Sequence, residues 1–193
     1  MAWTNIPDAN LDAGSPLRDV DLMALRDNTQ FVKDTHGYQV FTSNGTFTPP
    51  AGITSFRLIM IGGGGGGGGG SGYTNINETP MLGGGGGSGG AIETVVSNQT
   101  SASYTITVGA GGGANNAGGA SVAFGLSVGG GGGGTNATSL SNGVNGANGT
   151  TPAAMIRGTA ITPRFNFGYG LGGAGSSNTN GKAGGGGVCI IEW

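Results

Sequence analysis

Charge is what this chain has least of. Only 8% of its 193 residues are charged, seven Lys or Arg against nine Asp or Glu, for a formal net charge of -2. Every Asp (Asp8, Asp12, Asp19, Asp21, Asp27, Asp34) lies in the first 34 positions, and from His36 onward there are three Glu and four Lys or Arg. So sparse a surface cannot neutralise phosphates in the numbers that nucleic-acid binding needs, nor hold an anionic membrane by a basic patch. Neither nucleic acid nor membrane insertion is expected. Contacts are left to backbone amides, hydroxyls and aromatic rings.

Cysteine and histidine are nearly absent. Cys189 stands alone in "VCIIEW", so no intrachain disulfide can form, and in a strand it reads as a small buried hydrophobe. With His36 as its one possible companion it makes neither a zinc site nor a nucleophile with its base. Glu78 and Glu93 are a formal carboxylate pair, but carboxylates are too few beyond the N-terminal region for glycosidase chemistry to be expected. "GSSNTNGKA" misses a phosphate-binding loop, with Ser176 in place of the first Gly and Ala183 where Ser or Thr would meet magnesium. No enzyme activity, cofactor or metal is expected. There is no apolar run of about 20 residues to span a membrane, and "MAWTNIPDANL" has neither the basic nor the apolar region of a secretory signal. The triplets at Asn44, Asn98, Asn136 and Asn148 read as turns instead of glycosylation acceptors.

What the chain has in excess is glycine, 48 residues. Gly-rich stretches are ordinarily flexible linkers, since Gly loses the most entropy on ordering. Disorder, however, goes with high charge and few apolar residues, whereas 35% of this chain is hydrophobic and gathered into strand-like runs. Between those runs lie six tracts: 62–70, 83–90, 109–113, 129–134, 172–175 and 184–187. No Gly-X-Y register runs through them, which excludes a collagen triple helix. The remaining choices are loops or polyglycine II helices. The latter have three residues per turn and no internal hydrogen bonds, so their amides are satisfied only by neighbouring helices. Several tracts in one chain supply such neighbours, which favours packing; Gly66→Val is then expected to damage folding.

One helix is marked, in "SPLRDVDLMALRDNTQFVKDTHG", with Ser15 as cap, Pro16 in the first turn and Gly37 at the exit. Leu22, Leu25, Thr29 and Val32 are spaced four and three apart, a narrow seam that packs on its own domain or on copies of itself. Beyond it, "FRLIMI", "AIETVVS", "SYTITVG", "SVAFGLSVGG" and "GVCIIEW" read as short strands, about seven with their neighbours. The expected fold is mainly β: a short N-terminal helix, then an antiparallel sandwich or jelly-roll-like domain with packed Gly-rich segments. The division is 1–37, an attachment arm and helix, and 38–193, the glycine-rich β domain.

Binding candidates are polar loops carrying isolated aromatics. "SGYTNINETPML" offers Tyr73, Asn75 and Asn77, "TPRFNFGYG" offers Arg164, Phe165, Phe167 and Tyr169, and Asn136 joins them from an Asn/Thr-rich turn. Rings stack on the apolar faces of sugars while amides bond their hydroxyls, and loops on a rigid scaffold are where binding concentrates. The alternative for Phe165 and Phe167 is that both turn into the core.

The run "GTFTPPAGITSFRLIMIGGGGGGG", then "SASYTITVGAGGG" and a Gly-rich approach to "GVCIIEW", resembles the glycine-rich C-terminal domain of tailed-bacteriophage tail fibre and related virion proteins. "WTNIPDANLDAGSPLRDVDLMALRDNTQF" is similar to the N-terminal segment of such proteins. The resemblance implies a receptor-binding adhesin of the virion. It would be a homotrimer through Leu22, Leu25, Thr29 and Val32, joined to other tail or fibre proteins, made in the host cytoplasm and released by lysis. Its partner would be a glycan or outer-membrane protein of the bacterial surface. A structural virion piece of tail tip, collar or capsid, without a receptor, is the alternative. An ice-binding polyglycine protein is disfavoured by the irregular tract lengths.

Overall fold

The computed structural model describes residues 19–71, 81–138, 141–150, 169–176 and 180–193. One helix, α1 (Asp19–Thr35), precedes eight strands: β1 (Tyr38–Phe41), β2 (Gly45–Phe47), β3 (Phe56–Ile61), β4 (Ala91–Val96), β5 (Tyr104–Ile106), β6 (Ser121–Ala123), β7 (Leu126–Val128) and β8 (Val188–Glu192). The architecture is mainly β and antiparallel with one short helix, as the alternating runs imply.

The strands form two layers. The first is a four-stranded antiparallel sheet in the order β1-β8-β3-β4. In the second, β2 pairs with β5 and β6 with β7, and a bridge from Thr107 to Val122 joins the two pairs. Alternation along each strand sends one set of side chains between the layers. Phe56, Leu58 and Met60 of β3, Cys189 and Ile191 of β8, and Phe47, Ile106, Ala123 and Val128 opposite are buried together. Each large apolar side chain buried there is worth about 1.5–3 kcal/mol of transfer free energy. Rings lock the layers: Phe47 meets Phe56 edge-on with centroids 5.1 Å apart, and Phe56 stacks on Phe124 at 5.6 Å.

"SVAFGLSV", which reads as one strand, is a hairpin turning at Phe124 and Gly125, whose φ values are 50° and 75°. A non-glycine residue at positive φ is uncommon. Here the turn delivers the Phe124 ring to Phe56 and to Tyr104, whose centroid is 4.7 Å away.

Strand ends fix the long axis. The chain leaves β3 at Ile61 and β7 at Val128 into glycine and enters β4 and β8 from Gly90 and Gly187, so these tracts issue from one end of the sandwich. Trp193 follows β8 at the opposite end, where it exchanges both backbone hydrogen bonds with Gly37 at the exit of α1. The helix and the glycine segments therefore attach at opposite ends. On α1 the seam residues Leu22, Leu25 and Val32 are 49%, 57% and 47% exposed, and Thr29 is exposed with its hydroxyl donating to the Leu25 carbonyl at 2.9 Å. The buried positions of the helix are Asp21 and Asn28 instead.

Candidate functional site: the glycine bundle and its far end

The tracts are not loops. Along 62–68 every backbone N–H has a partner, and the partners rotate with a period of three. Gly62, Gly65 and Gly68 donate to the carbonyls of Gly90, Gly87 and Gly84; Gly63 and Gly66 donate to Gly119 and Asn116; Gly64 and Gly67 donate to Gly185 and Lys182. These three neighbours run antiparallel to the tract. Its carbonyls accept from three parallel neighbours: Gly63 and Gly66 from the amides of Gly131 and Gly134, Gly64 and Gly67 from Gly112 and Asn115, Gly65 and Gly68 from Gly173 and Ser176. The six neighbours also bond to one another in a closed ring of alternating direction, for example Gly87 to Gly132, Gly118 to Gly131, Gly119 to Ala110, Gly184 to Gly112, Gly185 to Leu171 and Gly86 to Gly173. Three-fold lateral bonding around a central extended helix is the packing of polyglycine II.

Sterics explain the composition. Residues 62–69 are buried, and a Cβ added at any position from Gly62 to Gly68 would overlap a neighbouring backbone carbonyl. No other residue type permits that approach. The nine residues 62–70, at about 3.1 Å each, make a rod of roughly 28 Å. A buried hydroxyl ties it to the sandwich: Ser121 Oγ donates to the Ile61 carbonyl at 2.7 Å and accepts from Gly109 N–H at 2.9 Å.

Two segments of the bundle carry no long glycine run. Residues 116–119 supply one ring position, and 142–150 lie outside the ring against 82–90 and 129–135. The second reads Asn-Gly-X three times, "NGVNGANGT". Its Gly143, Gly146 and Gly149 amides donate to the carbonyls of Leu82, Gly85 and Ser88. The side-chain carbonyls of Asn142, Asn145 and Asn148 accept from the amides of the same three residues, at 2.8, 2.7 and 3.1 Å. Asparagine thus replaces the backbone carbonyl of a missing neighbour. The repeat has the period of the helix.

The far end of the bundle is polar. Asn136 is exposed, and its Oδ1 accepts from Gly69 N–H at 2.8 Å and from Asn115 Nδ2 at 2.7 Å, ending the central helix as the ladder asparagines close its flank. Asn115 holds a φ of 64° to make this turn. Thr138 and Ser141 close another turn through their hydroxyls, 3.0 Å apart. The exposed Lys182 supplies a cation two residues beyond Asn180. Tyr169 lies elsewhere. It is half-buried beside Gly170, which packs on Ile61 and the carbonyl of Gly62 at the junction with the sandwich. Gly62 and Gly69 mark the two levels, so Tyr169 and Asn136 are separated by about 20 Å along the axis. Tyr73, Asn75, Asn77, Arg164, Phe165 and Phe167 lie outside the described residues.

Elsewhere, Glu93 is held by the Arg57 guanidinium, which also reaches Glu192. These bonds, the one to Glu93 first, push the arginine further up. Glu78 lies outside the described residues. Among the described residues no cluster of His, Cys, Asp or Glu could hold a metal ion.

No curated protein matches the chain. The profile of the glycine-rich domain family matches residues 42–187, most of the sequence, from just after β1 to the last glycine of the bundle before β8, and the protein belongs to that family.

Proposed function

We propose that the protein is the receptor-binding adhesin of a bacteriophage tail fibre or tail tip, with α1 as its attachment stem and the far end of the glycine bundle facing the bacterial surface. One observation carries the reading: stem and bundle turns lie at opposite ends of the molecule, joined by a sandwich and a laterally bonded rod. A rod closed by amide–carbonyl bonds holds its turns in fixed relation, which lowers the ordering cost of binding. The uncharged amides and hydroxyls at Asn115, Asn136, Thr138 and Ser141 suit a glycan or a polar protein surface. The exposed Leu22, Leu25 and Val32 favour trimer formation through the stem, which would bury them.

A structural virion role without a receptor gains from a single fact, that Asn136 spends its carbonyl inside the lattice. Labelled full-length protein separates the two. The adhesin reading expects a trimer in solution that binds host cells and blocks phage adsorption. A correctly folded trimer that does neither belongs to the structural role.

A further inference from the structure

Five Asn-Gly steps occur in the chain: Asn44–Gly45, Asn142–Gly143, Asn145–Gly146, Asn148–Gly149 and Asn180–Gly181. At such a step the glycine nitrogen can attack the asparagine Cγ, because no Cβ on the following residue hinders the approach. A C–N bond forms in a cyclic imide and the side-chain nitrogen leaves as ammonia. Water then adds to one of the two imide carbonyls and breaks its bond to nitrogen, giving aspartate or isoaspartate. The reaction requires a free glycine nitrogen and an asparagine amide able to swing onto it.

The fold treats the five steps differently. At Asn142, Asn145 and Asn148 the side-chain carbonyl accepts from the amide of Leu82, Gly85 or Ser88. The next glycine N–H donates to the carbonyl of that same residue, at 2.8, 2.9 and 2.7 Å. Both reacting groups are thus anchored to one neighbour, and each must break a hydrogen bond before it can react. Asn44 accepts from Val108 N–H at 2.8 Å, and Gly45 is fixed opposite Ile106 in β2. Asn180 is exposed, and among the described residues neither its amide nor the Gly181 N–H has a hydrogen-bond partner.

We infer that Asn180 is the deamidation site of the folded protein, and that the asparagine ladder of 142–150 shields its own three Asn-Gly steps from the same chemistry. The product places a carboxylate two residues from Lys182. Hydrogen bonding of that segment to the bundle begins one residue beyond the Asn180–Gly181 step, at Lys182, whose N–H donates to the Ala174 carbonyl, while Gly181 packs on the Gly67 carbonyl without bonding to it. An isoaspartate inside 142–150 would add a main-chain atom and break the three-residue phase.

Peptide mapping by mass spectrometry, after the full-length protein has stood in mildly alkaline buffer, tests this. Amide-to-acid conversion and isoaspartate should be confined to the peptide holding Asn180. The ladder steps should react roughly thirtyfold more slowly, the factor that about 2 kcal/mol of opening gives. In urea the steps should converge to similar rates. The exposed Asn180→Gln variant should fold and stay unmodified. Native ladder steps reacting as fast as Asn180, a native Asn180 that resists while reacting in urea, or a difference that persists in urea would each overturn the inference.

Discussion

At the scale of single residues, the decisive feature is the space a methyl group would need. A Cβ at Gly66 would overlap the carbonyl oxygen of Gly113, whereas at Gly85 its nearest neighbour would be the Asn145 side-chain oxygen at 3.5 Å. Both are glycines in long tracts, and the sequence does not distinguish them. Gly66→Ala should therefore cost about 2–4 kcal/mol, from overpacking together with distorted lateral bonds, and Gly66→Val should cost more. Gly85→Ala should stay within about 0.5 kcal/mol of the parent. Urea denaturation of the two alanine variants checks this; equal midpoints would show that the tracts do not pack as described. Asparagine is the second informative residue. Its amide imitates a peptide carbonyl at the flank, through Asn142, Asn145 and Asn148, and at the far end, through Asn136.

At the scale of elements, strands with clear alternation were legible in the sequence. "FRLIMI", "AIETVV" and "VCIIE" are β3, β4 and β8, and the glycine runs between them are the rods. The elements that escaped did so for stated physical reasons. Phe124–Gly125 does not look like a tight turn, because its positive φ at an aromatic is sustained by ring contacts from distant strands. "NGVNGANGT" was hidden because Asn-Gly ordinarily marks a turn, and its three-residue period acquires meaning only beside a lattice of the same period. Tyr169 and Asn136 could not be assigned to opposite ends, since that depends on which way each rod runs. Strand β8 offers an element-level test. It carries Cys189 into the core, where burial pushes the thiol from about 9 up to about 12. Between those values the unfolded chain binds fewer protons than the folded one, so stability should fall as pH rises through this window. Cys189→Ala should flatten that part of the curve while lowering stability overall by the lost packing. An unchanged alkaline slope in this variant would remove Cys189 as its cause.

At the scale of the whole molecule, the sandwich and the bundle are held by different forces. The sandwich rests on buried rings and aliphatic chains, Phe47, Phe56, Leu58, Met60 and Ile191 among them. The bundle has almost no side chains inside it and rests on lateral amide bonds, those of the central 62–69 buried from water, each of modest net worth but costly to leave unmade. Ser121 joins the two where Ile61 passes from β3 into glycine. Such a molecule is stiff where its composition suggests a tether. Amide hydrogen exchange of Gly62–Gly69 tests this most directly. These amides should exchange as slowly as those of Leu58 and Ile191 in the core strands, because all lie in one cooperative unit. Exchange at the rate of an unstructured glycine linker would contradict the buried lattice.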